Sequence, residues 1–271
     1  MTPIRLGAVG YLNARPLVHG LERDARFAVR FDVPSRCAEL LHEGAIDVGL
    51  IPSIEYLRGD YRIVPDLAIA SRGPVASVNL YTTTSIGDVR SIALDASSRT
   101  SVALTRVLCA KVFAIAPRFE SLGPDLDAML DRCDAALLIG DGALTTDPPA
   151  GAHTIDLGDV WTKTTGLPFV YAFWAGRPNA VEPSDVAALR RARDEGVRCV
   201  GDIARAYFAG AADKTALGAR YLRDNIKYDL GADERRGLEL FYRYAVDVGV
   251  MPAVKPLQFY RVSRELTPQD V

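Results

Sequence analysis

Two apolar, strand-like runs constrain this chain more than any other feature: "PVASVNLYTTTS" at 74–85 and "LPFVYAFWAG" at 167–176. They bracket one series of strand and helix patterns, and a second series lies outside them on both sides. A chain that leaves one βα unit, builds another and returns across the same gap makes two lobes with a cleft between them. The expected fold is α/β and two-lobed, with a ligand cleft between the lobes. Lobe one takes residues 1–82 and 172–271, lobe two takes 83–171, and the bracketing strands cross as a hinge. A chain of 271 residues is long enough to bury a core in each lobe.

The elements follow from pattern. Ile4–Val9 reads as a strand, Ala14–Glu22 as a short helix, and Phe27–Val33 alternates apolar with polar. "SRCAELLHEG" (35–44) is helical and ends on Gly44, while "AIDVGLIP" (45–52) is a buried strand stopped by Pro52. Within 74–85, Val75, Ser77, Asn79 and Tyr81 share one face and Ala76, Val78 and Leu80 the other. The inner block has strands at 91–95 and 134–140 and helices at 98–113 and 125–133. Such alternation predicts mostly parallel sheets covered by helices. Beyond Arg177 the pattern is helical, over 183–208, 214–226 and 232–247, before a tail with Pro252 and Pro256.

Charge and composition remove several function classes. The formal net charge is −2, so no field recruits nucleic acid or an anionic membrane surface. No apolar run approaches the ~18 residues of a membrane-spanning helix. Met1 leads through Pro3 and Arg5 into a strand, so no secretory signal and a cytoplasmic location are expected. Cys37, Cys109, Cys133 and Cys199 are scattered and read as reduced, buried small residues. His19, His42 and His153 lie far apart, and "HEG" at 42–44 lacks the second histidine of a zinc helix; no metal site is expected.

Polar groups gather where strands end, which is where α/β folds bind ligands. "LGAVGYLNARPL" (6–17) ends a strand in Tyr11, Leu12, Asn13 and Arg15. Asn13 can donate to a hydroxyl or carboxylate; the alternative is a turn, with Pro16 starting a helix and Arg15 in solvent. "LDASSRTSV" (94–102) supplies the hydroxyls of Ser97, Ser98, Thr100 and Ser101, the fork of Arg99 and a helix N-terminus, together an anion cradle. A mere helix cap would need one hydroxyl. Ser77 and Asn79 form a polar row that faces the cleft if their strand is the hinge. Gly140 and Asp141 of "LIGDGAL" sit in a turn or cap, with a catalytic Asp141 as the second reading. Ser53 is a cap or a ligand contact. "WTKTTGLPF" (161–169) brings Lys163, Thr164 and Thr165 near the return crossing, with Trp161 in the core.

Six of these blocks, in order, resemble a known family. "GAVGYLNARPL", "GAIDVGLIPSIEYL", "GPVASVNL", "SSRTSVAL", "DAALLIGDGAL" and "WTKTTGLPFVYAFWA", spread over residues 4–177, are similar to those of chorismate dehydratase of the futalosine route to menaquinone. The resemblance implies a type II periplasmic-binding-protein fold. It implies that chorismate loses water to give 3-[(1-carboxyvinyl)oxy]benzoate, with a small dicarboxylate as partner and no metal or organic cofactor. It also implies that Asn13 and Ser77 lie by the reacting ring. Tyr11, Leu12, Ser53, Asn79, Ser97, Ser98, Arg99, Thr100, Ser101, Gly140, Asp141 and Thr165 are then candidates for the rest of the binding site.

Three other readings compete. A transport receptor of the same fold is expected to carry an export signal or lipobox cysteine. A regulator's sensing domain is expected to follow a helix-turn-helix. The sister enzyme that makes 1,4-dihydroxy-6-naphthoate is expected to place a titratable base in the cleft, and none of the three histidines falls in a cleft motif.

Overall fold

A computed structural model describes residues 2–262. In chain order the elements are β1 Ile4–Val9, β2 Phe27–Asp32, α1 Pro34–Glu43, β3 Val48–Pro52, β4 Arg62–Ile63, β5 Ile69–Ser71, β6 Val78–Thr82, β7 Ser91–Asp95, α2 Thr100–Lys111, β8 Arg118–Leu122, α3 Leu126–Leu130, β9 Ala135–Ile139, α4 Gly140–Thr145, β10 His153–Asp156, α5 Leu157–Thr165, β11 Phe169–Gly176, α6 Pro183–Arg198, α7 Val200–Tyr207, α8 Ala212–Arg220 and α9 Ala232–Asp247. They build two sheets. The first runs β2-β1-β3-β11-β4, with β5 also paired to β11; the second runs β10-β6-β9-β7-β8.

Each sheet is mixed rather than mostly parallel. β1 is parallel to β2 and β3, but β11 runs antiparallel to β3, β4 and β5. In the second sheet β7 is parallel to β8 and β9, while β6 is antiparallel to β9 and β10. The antiparallel members are the two strands on either side of the crossings. A chain returning to its first lobe re-enters that sheet from the far end, so the reversal follows from the two-lobe path.

The hinge strands are shorter than their alternation suggests. β6 starts only at Val78, and Ala76 before it has a left-handed φ of 64°. The Asp156 carboxylate accepts the N–H groups of Val75 (3.1 Å) and Ala76 (2.7 Å) and holds this bend. Val78–Thr82 therefore belong to the second sheet and Phe169–Tyr171 to the first. This corrects the lobe boundaries at 82 and 171, because the chain changes sheets between 71 and 78 and again between 156 and 169. A side-chain pattern of period two passes through a bend unmarked, which is why the run misleads.

Other differences have similar local causes. Leu12–Val18 is a 3-10 turn, not an α-helix reaching Glu22; it contains Pro16, which lacks an N–H. The helical stretch 183–208 breaks at Cys199 into α6 and α7. α8 passes into a π-helical turn, Tyr221–Asn225. The C-terminal helices pack on the first lobe, and Gly196 of α6 lies so close to the Leu12–Val18 turn that a Cβ there would come within 2.2 Å of the Pro16 carbonyl oxygen. This contact fixes the turn beside the cleft. Burial pushes the thiols of Cys37 and Cys109 up to about 12, as inert core groups require. No helix among the described residues is long and apolar enough to cross a membrane.

Candidate functional site

The carboxyl ends of β1, β3, β7 and β9 converge on a cavity between the lobes. The first lobe contributes Val9, Tyr11, Asn13, Pro34, Pro52, Ile69 and Tyr171; the second contributes Val78, Ser98–Ser101, Ile139 and Gly140, with Val75 and Ser77 from the crossing segment. The lining is largely apolar, with a few converging polar groups, as a site for a ring-bearing ligand requires. It includes no carboxylate, histidine or lysine.

Asn13 and Ser77 face each other across one buried phenol. The Tyr221 hydroxyl donates to Ser77 Oγ at 2.7 Å, and the Asn13 side chain lies near enough to that phenol to bear on its ionisation. Tyr228 donates to the Asn13 carbonyl at 3.0 Å. Both phenols are buried in the core, and burial pushes their ionisation well above the ordinary range. They are neutral donors at any working pH. Arg15 is neither in solvent nor in the cavity: it donates to the Gly10 carbonyl at 3.2 Å, and its guanidinium lies 4.3 Å from the Phe31 ring centre.

The cradle divides its hydroxyls. Ser97 Oγ donates to Asp95 at 2.6 Å and so accepts from the Tyr11 hydroxyl at 3.1 Å. Thr100 Oγ1 accepts the Ile54 N–H at 3.2 Å, an inter-lobe contact. No side chain caps the first turn of α2, which leaves its N–H groups and the Ser98 and Ser101 side chains at the cavity. Arg99 also lines the cavity, but its Nη2 donates to Glu39 on α1 of the other lobe at 3.2 Å, and both side chains are partly exposed.

Asp141 links the lobes rather than lining the cavity. Its carboxylate accepts the Leu12 N–H at 3.0 Å and the Tyr207 hydroxyl at 2.5 Å, so it fastens the Asn13 loop to α4. Burial raises its ionisation above the ordinary carboxylate range, and the two hydrogen bonds oppose that rise. Gly140 beside it has φ 62°, and a Cβ there would come within 2.6 Å of the Tyr11 ring. Only glycine lets β9 turn into α4 this close to Tyr11.

The chain is similar to proteins of known family and fold. A family model described as menaquinone biosynthesis matches residues 4–247. The chain is 34% identical over 260 residues to the chorismate dehydratase of Thermus thermophilus, covering 89% of this chain and 94% of that protein. The chain belongs to the menaquinone biosynthesis family. Two solved structures share its fold, a periplasmic-binding-protein-like one of two lobes. A protein of Archaeoglobus fulgidus matches with a TM-score of 0.73 at 18% identity, over 92% of this chain and 99% of its own. The periplasmic aliphatic sulphonate binding protein SsuA of Escherichia coli matches with a TM-score of 0.59 at 17% identity, over 99% of each chain.

Within this family member, five further candidates fall outside the cavity lining. Ser53 is fully buried beneath it and donates to the Val170 carbonyl at 2.8 Å, tying β3 to β11. Asn79 donates to the Ala76 carbonyl at 3.1 Å and holds the bend. Leu12 is core, and Ser97 stands behind Tyr11. Thr165 is not near the cleft: it donates to the Trp161 carbonyl at 2.8 Å, accepts the Leu167 N–H at 3.1 Å and finishes α5. The residues that pattern reading missed are Tyr207, Tyr221 and Tyr228. All three lie in or beside the C-terminal helices, where a tyrosine at a buried position has the same periodic signature as a phenylalanine or leucine.

Proposed function

We infer that this chain is a chorismate dehydratase. It removes water from chorismate to give 3-[(1-carboxyvinyl)oxy]benzoate, within menaquinone synthesis by the futalosine route. The observation that carries this reading is an inter-lobe cavity lined by Asn13 and by Ser77, whose hydroxyl is held by one buried phenol, in a chain similar over nearly its whole length to a chorismate dehydratase. The reading makes it a hydro-lyase of the cytoplasm, and the four free cysteines are compatible with a reducing compartment.

The chemistry follows from the groups at hand. Chorismate carries two carboxylates; the α2 N-terminus with Ser98, Ser101 and Arg99 suits one of them. Loss of the C3 hydrogen and the C4 hydroxyl aromatises the ring. A base is needed, and the cavity lining offers none, since Asn, Ser, Thr and Arg are poor bases and the lining phenols Tyr11 and Tyr171 are pushed up by burial. Asp141 is already occupied by Leu12 and Tyr207. The enolpyruvyl carboxylate of the substrate, joined to C3 through the ether oxygen, reaches back to the C3 hydrogen and takes the proton. Asn13 and Ser77 then orient the ring and stabilise the departing C4 oxygen, an effect of position and preorganised donors.

The cavity between the lobes is about 60 Å³. A ring with two carboxylate arms needs more, so the substrate is admitted with the lobes parted. Parting breaks the Tyr11–Ser97, Leu12–Asp141 and Arg99–Glu39 contacts, and closing remakes them or hands them to the substrate. Incubation with chorismate, followed by the aromatic absorbance of the product, tests the reading. Turnover supports it; tight binding without turnover makes the chain a solute-binding protein instead. An analogue with a neutral amide in place of the side-chain carboxylate is expected to bind and not react, and its normal turnover would remove the substrate from the role of base.

A further inference from the structure

Ser77 has one proton, and its neighbour decides where that proton points. The Tyr221 hydroxyl donates to Ser77 Oγ at 2.7 Å, so the serine's own O–H is not needed for that bond and is free to turn into the cavity that Ser77 lines. Tyr221 is 2% exposed, is absent from the cavity lining, and stands at the first position of the π-helical turn Tyr221–Asn225. Such turns are rare and often occur at functional sites. The turn is anchored to the crossing segment by Asn225, which donates to the Pro74 carbonyl at 2.9 Å.

We propose that Tyr221 is a positioning residue for the elimination, holding Ser77 as a hydrogen-bond donor to the leaving C4 oxygen. This rests on the dehydratase reading above. No proton passes through Tyr221. The C3–H bond breaks toward the substrate carboxylate, the C4–O bond breaks with its electron pair on oxygen, and the released hydroxide takes up that same proton to leave as water. Throughout, Ser77 donates to the departing oxygen while Tyr221 donates to Ser77. Were Tyr221 to ionise, it would accept from Ser77 and turn the serine's proton away from the substrate. The groups bearing on its ionisation are the carboxylates of Asp141 and Asp156 and the neighbouring phenols Tyr171 and Tyr228.

The test is a double-mutant cycle on the whole chain, with chorismate as substrate. Tyr221→Phe keeps the buried ring and removes the donor. It is expected to lower kcat about tenfold or more while KM changes less than about threefold. In a Ser77→Ala background the same change is expected to cost almost nothing, because Tyr221 acts through Ser77. An unchanged kcat, or losses that multiply in the double variant, overturns the proposal. Fluorotyrosine at position 221 keeps the fold by a second route and lowers the phenol's ionisation. It is expected to keep kcat within about threefold, because it still donates to Ser77, and a loss as large as that of Tyr221→Phe also counts against the proposal. If the wild-type chain leaves chorismate unchanged, it is the dehydratase reading that has failed, and the inference falls with it. Normal wild-type turnover with an indifferent Tyr221→Phe overturns the inference alone.

Discussion

Asn13 and Ser77 on one side of the cavity are held by buried phenols, whereas Arg99 on the other side is held by one partly exposed glutamate. Tyr221 reaches Ser77 from the π-helical turn and Tyr228 reaches the Asn13 carbonyl from the segment that follows it, and both phenols are buried. Arg99 pairs with Glu39 across the cleft mouth, with side-chain exposures of 40% and 45%. A buried, fully partnered network resists rearrangement, because leaving any member unpaired costs its full desolvation. An exposed ion pair is worth roughly 0.2–1 kcal/mol and exchanges partners readily. In the dehydratase reading the first wall suits geometry that must be right at the moment of reaction, and the second suits a ligand that must come and go. Changes to the first should therefore appear in kcat and changes to the second in KM.

The largest expected effects come from the buried wall. Asn13→Ala and Ser77→Ala should each lower kcat about 10²–10³-fold, the usual loss when one preorganised donor is removed. Steady-state assays with chorismate and a melting curve for each variant check this. If activity falls only in proportion to lost stability, the loop at 10–18 is a turn and nothing more, and the contrast between the walls disappears.

Arg99→Ala tests the other wall. A charge-assisted hydrogen bond contributes about 1.5–3 kcal/mol, and the exchange with Glu39 gives part of that back. KM for chorismate should rise about tenfold with kcat little changed. Titration calorimetry showing unchanged affinity would leave Ser98, Ser101 and the α2 N-terminus to bind the carboxylate alone.

The two walls also differ in how far they could be read from sequence. The strand ends were legible because an apolar run that stops in glycine and small polar residues has few other uses. Both Asn13 and the Ser98–Ser101 stretch line the inter-lobe cavity. The order of elements into two lobes was legible for the same reason. What failed was anything set by contacts distant in sequence. The bend at Ala76 depends on Asp156, far along the chain, so the alternation through Val75, Ser77 and Asn79 predicted a longer strand and lobe boundaries drawn too late. Thr165 looked like a cleft residue because the return crossing follows it closely, yet its hydroxyl is used within its own helix. Tyr221 was invisible, since its role depends on a hydroxyl reaching across 144 positions to Ser77.

Asp141→Asn probes the joint between the walls. It should keep kcat within about tenfold, because Asp141 fastens the Leu12 N–H and Tyr207 rather than facing the substrate. A loss of about a thousandfold or more, within the range for a missing general base, would move the base from the substrate to Asp141. Stability against pH gives a second measure. Asp141 ionises above its ordinary range in the folded chain, mainly because it is buried. The folded state therefore binds this proton more tightly than the unfolded state. The resulting stabilisation is complete below the ordinary carboxylate range near pH 4, and is lost as pH rises through the raised value. Asp156 contributes in the same direction. Urea denaturation at several pH values should show a shallower fall above about pH 4 in Asp141→Asn than in the wild type. Equal slopes would mean that Asp141 does not titrate differently in the two states.

The smallest effect sharpens the comparison most. In the dehydratase reading Glu39, which pairs with Arg99 from a partly exposed position on α1, competes with the substrate for it. Glu39→Gln keeps the shape of the side chain and removes its charge. Freed from a partner worth under about 1 kcal/mol, Arg99 should bind the substrate carboxylate slightly better, so KM should fall about two- to threefold with kcat unchanged. Because the competing pair is exposed, that advantage should shrink as salt is added. A rise in KM would mean that Glu39 orients Arg99 toward the cavity instead of drawing it away. The open wall would then be preorganised as well, and the division of labour between kcat and KM would no longer follow from burial.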